Sequence, residues 1–415
     1  AKTHYYSVND RNGQLSFAPN YNNDGAKGTA SIVAGLGSSI NVNSEPQGAT
    51  ASIFGTMNTI NAKSGEQYDG VANSIVGTVN VTDHANASLI FGAGNIIKNS
   101  YGDLKDKDGN DFNLMEIAQI AQTGNTEALA KKLGEYVSSS GGAVLAIGGA
   151  NTADYAQLSK VVGVGNKLTG EDGKESKLNM IDGFGNTGNK INNTTIIGSG
   201  NEAENTDGAI VLGDRRKLTG ANHSVILGSG DATDPTGTAA AAMVTDKAEV
   251  VVLGHKANAT VEGGVALGAG SVANRAAFTT EMKGVFSKFD LNGKTAGAVS
   301  VGTTDKLRQI INVGDATEAT DAVNLRQLQA VKDSLNTTIT GSKVHFFSAK
   351  GGSGEENYNN DGATGDRALA VGVGAKASGL KAAALTGGNA SGDFSFAVGN
   401  GAQAKGWGSV AVGAE

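Results

Sequence analysis

Three runs decide the fold: "TTIIGSGNEA" (residues 194–203), "GAIVLGDRRKLTGAN" (residues 208–222) and "HSVILGSGDAT" (residues 223–233). Each opens with a short β-branched or aliphatic stretch that breaks at glycine. The key glycines, Gly198, Gly213 and Gly228, stand fifteen residues apart. Gly163 and Gly183 precede them in the same setting, and Gly254 and Gly268 follow. The theme also fills residues 31–100 and 368–406. A period of fourteen to fifteen residues is too short for a helical hairpin. It fits one coil of a β-solenoid, with two short strands and two turns. In "SVILG", Val225 and Leu227 point one way while Ser224 and Ile226 point the other. Both sides of the strand carry apolar residues, so one side is expected to line the interior and the other to meet a partner. Glycine turns the corner, and asparagine at turn positions is expected to supply left-handed backbone.

Composition agrees. The 415 residues include 62 Gly, only 3 Pro and 5% aromatics. Aromatics supply much of a large core's buried area, so a thin, repeated core is expected, each coil stabilised by its neighbours. A hydrophobic share of 39% is too high for a disordered chain. The net charge of −7, without a long basic run, excludes nucleic acid as a partner. The absence of Cys excludes disulfides and thiolate metal sites. No apolar run is long enough to span a membrane as a helix. The chain ends inside a repeat, at "SVAVGAE" (residues 409–415), and is expected to be an internal fragment of a longer protein.

"NYNNDGA" occurs twice, at residues 20–26 and 357–363. "HYYS" precedes the first copy and "HFFS" the second, starting at His4 and His345. Asn, Asp and Gly are turn formers. The heptapeptide is expected to mark the entry to a module and to cap the open edge of its solenoid.

A second signature lies at residues 307–331, "LRQIINVGDATEATDAVNLRQLQAV". With the "SVAVG"-type repeats, it resembles the trimeric autotransporter adhesins, surface fibres of Gram-negative bacteria. The string is similar to that family's neck motif through Arg308, Gln309, Ile310, Asn312, Val313, Thr320, Asp321, Ala322, Val323, Asn324, Gln327 and Leu328. The resemblance implies a homotrimer whose heads are left-handed parallel β-rolls, followed by a neck and a coiled-coil stalk. It also implies attachment to host cell-surface or matrix proteins, glycans or other bacteria. Localisation would be the bacterial cell surface, as the extracellular passenger region of an outer-membrane protein. The membrane would be reached only through an anchor domain outside this chain. Independently, Leu328, Val331, Leu335 and Thr338 are spaced three, four and three, the heptad pattern.

The expected organisation is a first head over 1–275 with an insertion at 101–142, a neck over 276–327, a short coiled coil over 328–341, and the start of a second head over 342–415. The insertion predicts two helices. The first covers residues 113–122, with Leu114, Ile117 and Ile120; the second covers 127–137, with Leu129, Leu133 and Tyr136 and an N-cap at Thr126. Two readings of this hairpin stand side by side, a brace packed on the roll and a receptor-binding projection. Its candidate ligand contacts are Asp106, Asp108, Asp111, Glu116, Glu127, Lys131, Lys132 and Tyr136. Smaller breaks in the period stand at residues 167–178 and 231–249.

No catalytic constellation, cofactor loop or metal site is expected. "DKDGND" (residues 106–111) fails the calcium-loop pattern, because Leu104 and Met115 would occupy its first and twelfth positions. It reads as an acidic, solvated turn. Arg215, Arg216 and Lys217 read as solvated charge on a solenoid edge. The function expected is adhesion through a homotrimeric head. Its rival is a structural spacer without a ligand of its own.

Overall fold

The computed structural model describes residues 16, 18–139, 142–232, 238, 240–284, 288–341 and 351–414. The aromatic pairs beside His4 and His345 lie outside the described residues. The chain divides into two compact units, Ala1–Gln309 and Ile310–Glu415.

Among the described residues, the first unit holds a 13-stranded and a 10-stranded sheet, called here the long and the short sheet. Each is built from alternate strands of the chain, and every pairing in them is parallel. One coil therefore places one strand in each sheet, which is the roll implied by the period. Thr195, Ile210 and Val225 are register partners, and so are Gly183 and Gly198. The inward residues of the long sheet include Ile53, Ile75, Ile90, Ile181, Ile196 and Ile226. They meet Ile40, Ile60, Ile97, Leu168 and Leu218 of the short sheet, and all are fully buried. β-Branched and aliphatic residues suit this flat, dry column.

The corner after each long-sheet strand holds the stack together. Coils approach so closely there that a Cβ on Gly183 would lie 1.8 Å from the Gly198 carbonyl oxygen, and Gly183 has φ 130°. Only glycine fits. Three residues later stands a column of buried asparagines, Asn58, Asn80, Asn95, Asn151, Asn166, Asn186 and Asn201. Asn166 shows the pattern. Its backbone N–H and its Nδ2 both donate to Asn151 Oδ1, each at 3.1 Å. Nδ2 also donates to the Gly183 carbonyl at 2.7 Å, and Oδ1 accepts from the N–H and Nδ2 of Asn186. Each asparagine thus couples neighbouring coils and satisfies backbone groups that would otherwise be buried without partners. The expectation that turn asparagines supply left-handed backbone needs correcting for this column. The positive φ falls on the residue before, as at Met57 (57°) and Ala150 (53°).

The column's last member is Arg216. Its N–H donates to Asn201 Oδ1, and its guanidinium donates to the carbonyls of Gly228 (2.6 Å), Ala257 (2.9 Å) and Gly254 (3.4 Å). It is fully buried, and burial holds its pKa below the ordinary value. This overturns its reading as solvated edge charge. Lys217, on the outer side of the short sheet, pairs with Glu202 at 2.8 Å.

The column begins in the repeated heptapeptide. Asn20, at φ 60°, donates to the Gly35 carbonyl at 3.1 Å and accepts from the Gly25 N–H at 3.1 Å. Asn357, at φ 61°, repeats this with Gly372 (3.0 Å) and Gly362 (2.9 Å) in the second unit. Each copy therefore offers the first glycine carbonyl of its roll the donor that a preceding coil would otherwise supply. That is the capping role expected of it.

Extra residues leave the roll without disturbing the register. Steps along the long sheet lengthen from 15 to 20 and 22 residues at Ile32–Ser52 and Ser52–Ser74. The 56-residue step from Leu89 to Leu145 carries the insertion. Val299–Ser300 pairs with Val265–Ala266, so the sheet continues beyond residue 275. The second unit repeats the design with four- and three-stranded parallel sheets around an all-alanine core that includes Ala377, Ala384, Ala390 and Ala397.

Replacing Asn166 by Ala removes its donors and acceptor from four buried backbone and side-chain partners. At about 1–3 kcal/mol for each orphaned group, the variant should lose about 3 kcal/mol or more. Urea unfolding followed by circular dichroism measures this, and a change near zero would contradict the role of the column.

Candidate functional site

Three surfaces are available for recognition. The first is the outer side of the long sheet. Its register columns bring Phe54, Val76, Phe91, Ile147, Val162, Asp182, Ile197 and Leu212 into one file, apolar but for Asp182. Several stay open to solvent, with Phe54 47%, Phe91 43% and nearby Phe184 62% exposed. The short sheet differs. Its outer side carries Asp83, Lys98, Asp154, Glu202, Glu204 and Lys217, interleaved with Asn and Thr. Only the long sheet is largely apolar on both faces, as the reading of "SVILG" requires, with Lys160 and Asp182 the charged exceptions among its described strand residues.

The second surface is the segment that resembles a neck. On the first unit, Arg308 donates to Ser271 Oγ and to the carbonyls of Ala269 and Val301, fastening this stretch to the last coils. Gln309 is exposed. On the second unit, a helix α1 at Leu325–Gly341 is started by Asn324 and Gln327. Asn324 Oδ1 accepts from the Gln327 N–H at 3.1 Å, and Gln327 Oε1 faces the Asn324 N–H at 3.4 Å. This is a reciprocal capping box. The same two side chains reach back along the chain. Asn324 Nδ2 donates to the Val313 carbonyl (3.0 Å) and Asp315 (2.7 Å), and Gln327 exchanges two bonds with Ala316. Asp321 accepts from the N–H groups of Thr317 and Glu318, which lowers its pKa. Asn312 supplies a left-handed residue at φ 60°. These bonds order the segment, while Ile310, Val323, Leu328, Val331 and Leu335 remain exposed and Ala322 with them. Ile339, which the heptad reading passed over, joins the apolar stripe of the helix.

The third surface is the insertion. Its helices are α2, Leu114–Gln122, and α3, Thr126–Ser139. Asn113 caps the first. The second is capped by Asn125, whose Oδ1 accepts from the Ala128 N–H at 2.9 Å; this corrects the expected cap at Thr126. Leu104, Phe112, Ile117 and Tyr136 pack on Ala49 and Val71 of the roll's extra loops. Phe112 stands edge-on to Tyr68 and Tyr136, and Tyr68 donates to the Phe112 carbonyl at 2.9 Å.

The candidate contacts separate accordingly. Tyr136 is 2% exposed and forms the floor of the hairpin. Asp106 is buried and closes its own turn, accepting from the N–H groups of Asn110 (2.9 Å) and Asp108 (3.0 Å), which holds its carboxyl below the usual range. Asp106 alone is withdrawn from solvent, while Lys107, Asp108, Gly109, Asn110 and Asp111 are exposed, so the turn is otherwise the solvated one expected. Lys132 lies between Asp106 (3.5 Å) and Glu116 (3.2 Å), and its bond to Glu116 raises its pKa. Asp108, Asp111, Glu127 and Lys131 are exposed. Beside the insertion, His84 Nδ1 lies 2.7 Å from buried Asp69 and stacks on Tyr101. Burial, reinforced by Glu66, Asp103 and Asp69, pushes the Tyr101 hydroxyl up to about 12. Among the described residues, no three His, Asp or Glu side chains cluster as metal ligands.

A stack of parallel coils with one largely apolar outer side, and a capped helix with an exposed apolar stripe, define a repeat-built module. Comparison with known proteins agrees. Residues 309–349 match the family described as the coiled stalk of trimeric autotransporter adhesin. Residues 251–271, 363–385 and 390–415 match the YadA head domain repeat. The Autotransporter adhesin EhaG of Escherichia coli O157:H7 is 39% identical over 90 residues, 22% of this chain and 5% of that protein. These matches support a resemblance to the trimeric autotransporter adhesins, and the chain spans only a small part of the length of that relative.

If Tyr136 seats the hairpin, Tyr136→Ala should cost about 3–5 kcal/mol. The loss should appear as faster amide exchange across α2 and α3, with the sheets still protected. Unchanged exchange in the helices would show that the hairpin stands without this contact.

Proposed function

We propose that the chain is a segment of a homotrimeric adhesin displayed on the bacterial surface, attaching the cell to host proteins, glycans or other bacteria. In this reading residues 1–275 and the strand at Val299–Ser300 belong to the first head. Residues 276–327 contain the neck, 328–341 a short trimeric stalk, and 342–415 the next head. The observation that carries it is apolar surface that a lone chain leaves in water. The long sheet presents its outer file, and the stalk helix presents Leu328, Val331, Leu335 and Ile339 at 60, 63, 59 and 58% exposure. Contiguous apolar surface of this kind marks association. A helix of about five turns is marginal alone, and burying its stripe against two copies stabilises it.

The charged outer side of the short sheet and the exposed rim of the hairpin stay free for a ligand. Asp108, Asp111, Glu127 and Lys131 are the hairpin residues placed to meet one. Three identical surfaces per trimer raise avidity even when each contact is weak. The spacer reading draws on a different observation, the hairpin's packing against Ala49 and Val71. A brace needs such packing and needs no ligand.

Sedimentation equilibrium of the purified chain should give three times the chain mass at micromolar concentration, and a monomer would overturn the reading. Replacing Leu328 by Asp places a charge in the stalk seam. The helical signal should then melt before the β signal, and coincident melting equal to that of the unaltered chain would remove the stalk's role. For adhesion, the labelled chain should bind epithelial cells or co-resident bacteria. Binding lost when residues 103–140 are replaced by a short Gly-Ser turn, with the trimer mass intact, assigns the ligand to the hairpin. Binding that persists assigns it to the roll or the second head, and binding to nothing supports the spacer.

A further inference from the structure

One corner of the second unit carries rings for which its fold has no packing use. Parallel pairing of the strands Leu369–Val371, Ala383–Leu385, Phe396–Val398 and Val410–Val412 stacks the turns that lead into them. Two residues before each strand stand Arg367, Lys381, Phe394 and Gly408, all at positive φ. The same position in the first unit holds Ala30, Thr50, Ala72, Ala87 and Asn193. Bulky side chains rarely take this backbone, yet Phe394 does, at 58°. Trp407, the only tryptophan in the sequence, adjoins Gly408. Its ring centroid lies 5.8 Å from that of Phe394, and the Lys381 ammonium, one coil earlier, lies 5.2 Å from the Phe394 centroid. Trp407 is 78% exposed and Phe394 46%. The buried core of this roll is alanine, so neither ring is needed to fill it. Arg367 lies 3.9 Å from Asp366, and Lys376 lies 2.6 Å from Glu356. Lys381, by contrast, has no carboxylate partner among the described residues.

Resting on the adhesin reading and naming a ligand for it, we propose that this corner binds a glycan bearing a carboxylate, as uronic and sialic acids do. The negative faces of the two rings attract the C–H face of a pyranose. The Lys381 ammonium supplies a charge-assisted hydrogen bond to the carboxylate. Lys381 and Trp407 stand two coils apart, about 10 Å, a span that a disaccharide covers. A second copy of the chain is a poorer occupant. Covering the rings with a dry contact would also bury Asp366, Arg367, Lys381 and Asp393, and buried charge is costly. The sheet beside the corner already offers a second copy Leu369, Phe396, Val410 and Val412, all exposed and apolar. A sugar leaves the charges in water and exchanges hydrogen bonds with them. Each site is weak by itself, and three in a trimer raise avidity.

The single tryptophan reports the test directly. The whole chain is titrated with sialyllactose, with a glucuronate–N-acetylglucosamine disaccharide and with lactose, while Trp407 emission is followed. A saturable change should appear with one or both acidic sugars. Lactose should bind about tenfold or more weakly, the worth of one charge-assisted hydrogen bond. A response to sialyllactose alone assigns a sialic terminus, and a response to the uronate alone assigns an acidic polysaccharide; either supports the site. Lys381→Gln should weaken the acidic sugars to the level of lactose. Trp407→Ala, at an exposed turn, should keep the circular dichroism of the unaltered chain and lose retention on the immobilised acidic sugar. No saturable change with any of the three sugars, or lactose binding as well as the acidic ones, would overturn the site. So would emission that is already blue-shifted and closed to acrylamide in the sugar-free chain, which assigns the corner to contact between copies. Sedimentation mass and attachment to cells are read separately. A trimer that attaches to cells while its Trp407 ignores all three sugars removes this site and leaves the adhesin reading, whereas a monomer removes the reading on which the site rests.

Discussion

Everything in the roll depends on how the glycine corner satisfies its carbonyls. Parallel coils stacked closely enough for Gly183 to meet Gly198 leave no room for water between them. The carbonyl oxygens there need donors from the protein itself, and the asparagine column supplies them, from Asn20 through Asn201 to the closing guanidinium of Arg216. The column also sets the register. Asn151 bonds Asn95 across the 56 residues that separate them in sequence, and the sheets stay in phase above and below the insertion. A side chain that bonds both ways along the stack makes the length of the intervening loop unimportant.

That tolerance explains where specialised structure sits. The extra loops around Ala49 and Val71 and the helical hairpin build one side layer with its own aromatic core. The two sheets meanwhile divide the outer surface by chemistry. The long sheet is largely apolar outside. The short sheet carries paired charges such as Glu202 and Lys217, and Asn41 bonded to Asn61, a side suited to water. One period thus writes an inner column, an apolar outer face and a charged outer face.

Much of this was legible in the sequence, because strand alternation and the glycine period are local patterns. The two hairpin helices were legible for the same reason. Asn125, rather than Thr126, caps the second because a cap is chosen by backbone geometry at the turn, and both residue types are good caps. The asparagine column had a signal that went unread, an Asn three residues after the glycine in coil after coil. Arg216 occupies that same phase, and its offset from Gly213 was the only clue that it is buried. Asp106, Lys132 and Tyr136 looked like surface chemistry by composition. Tyr136 is buried by packing with Ala49 and Val71 of loops far earlier in the chain, whereas Asp106 and Lys132 are drawn in by partners within the insertion itself, Asn110 and Glu116.

By itself, then, the sequence determined the class of architecture, its period, the places where the period breaks, and the family that it resembles. All of these rest on residue identity at short spacing. The tertiary structure decided which polar residues are interior and which are open, since burial depends on what neighbouring coils bring alongside. A column of asparagines, an arginine in the last slot, and one Lys–Asp pair on an apolar face are scattered in sequence. They become single features only when parallel stacking brings successive coils together at one strand spacing.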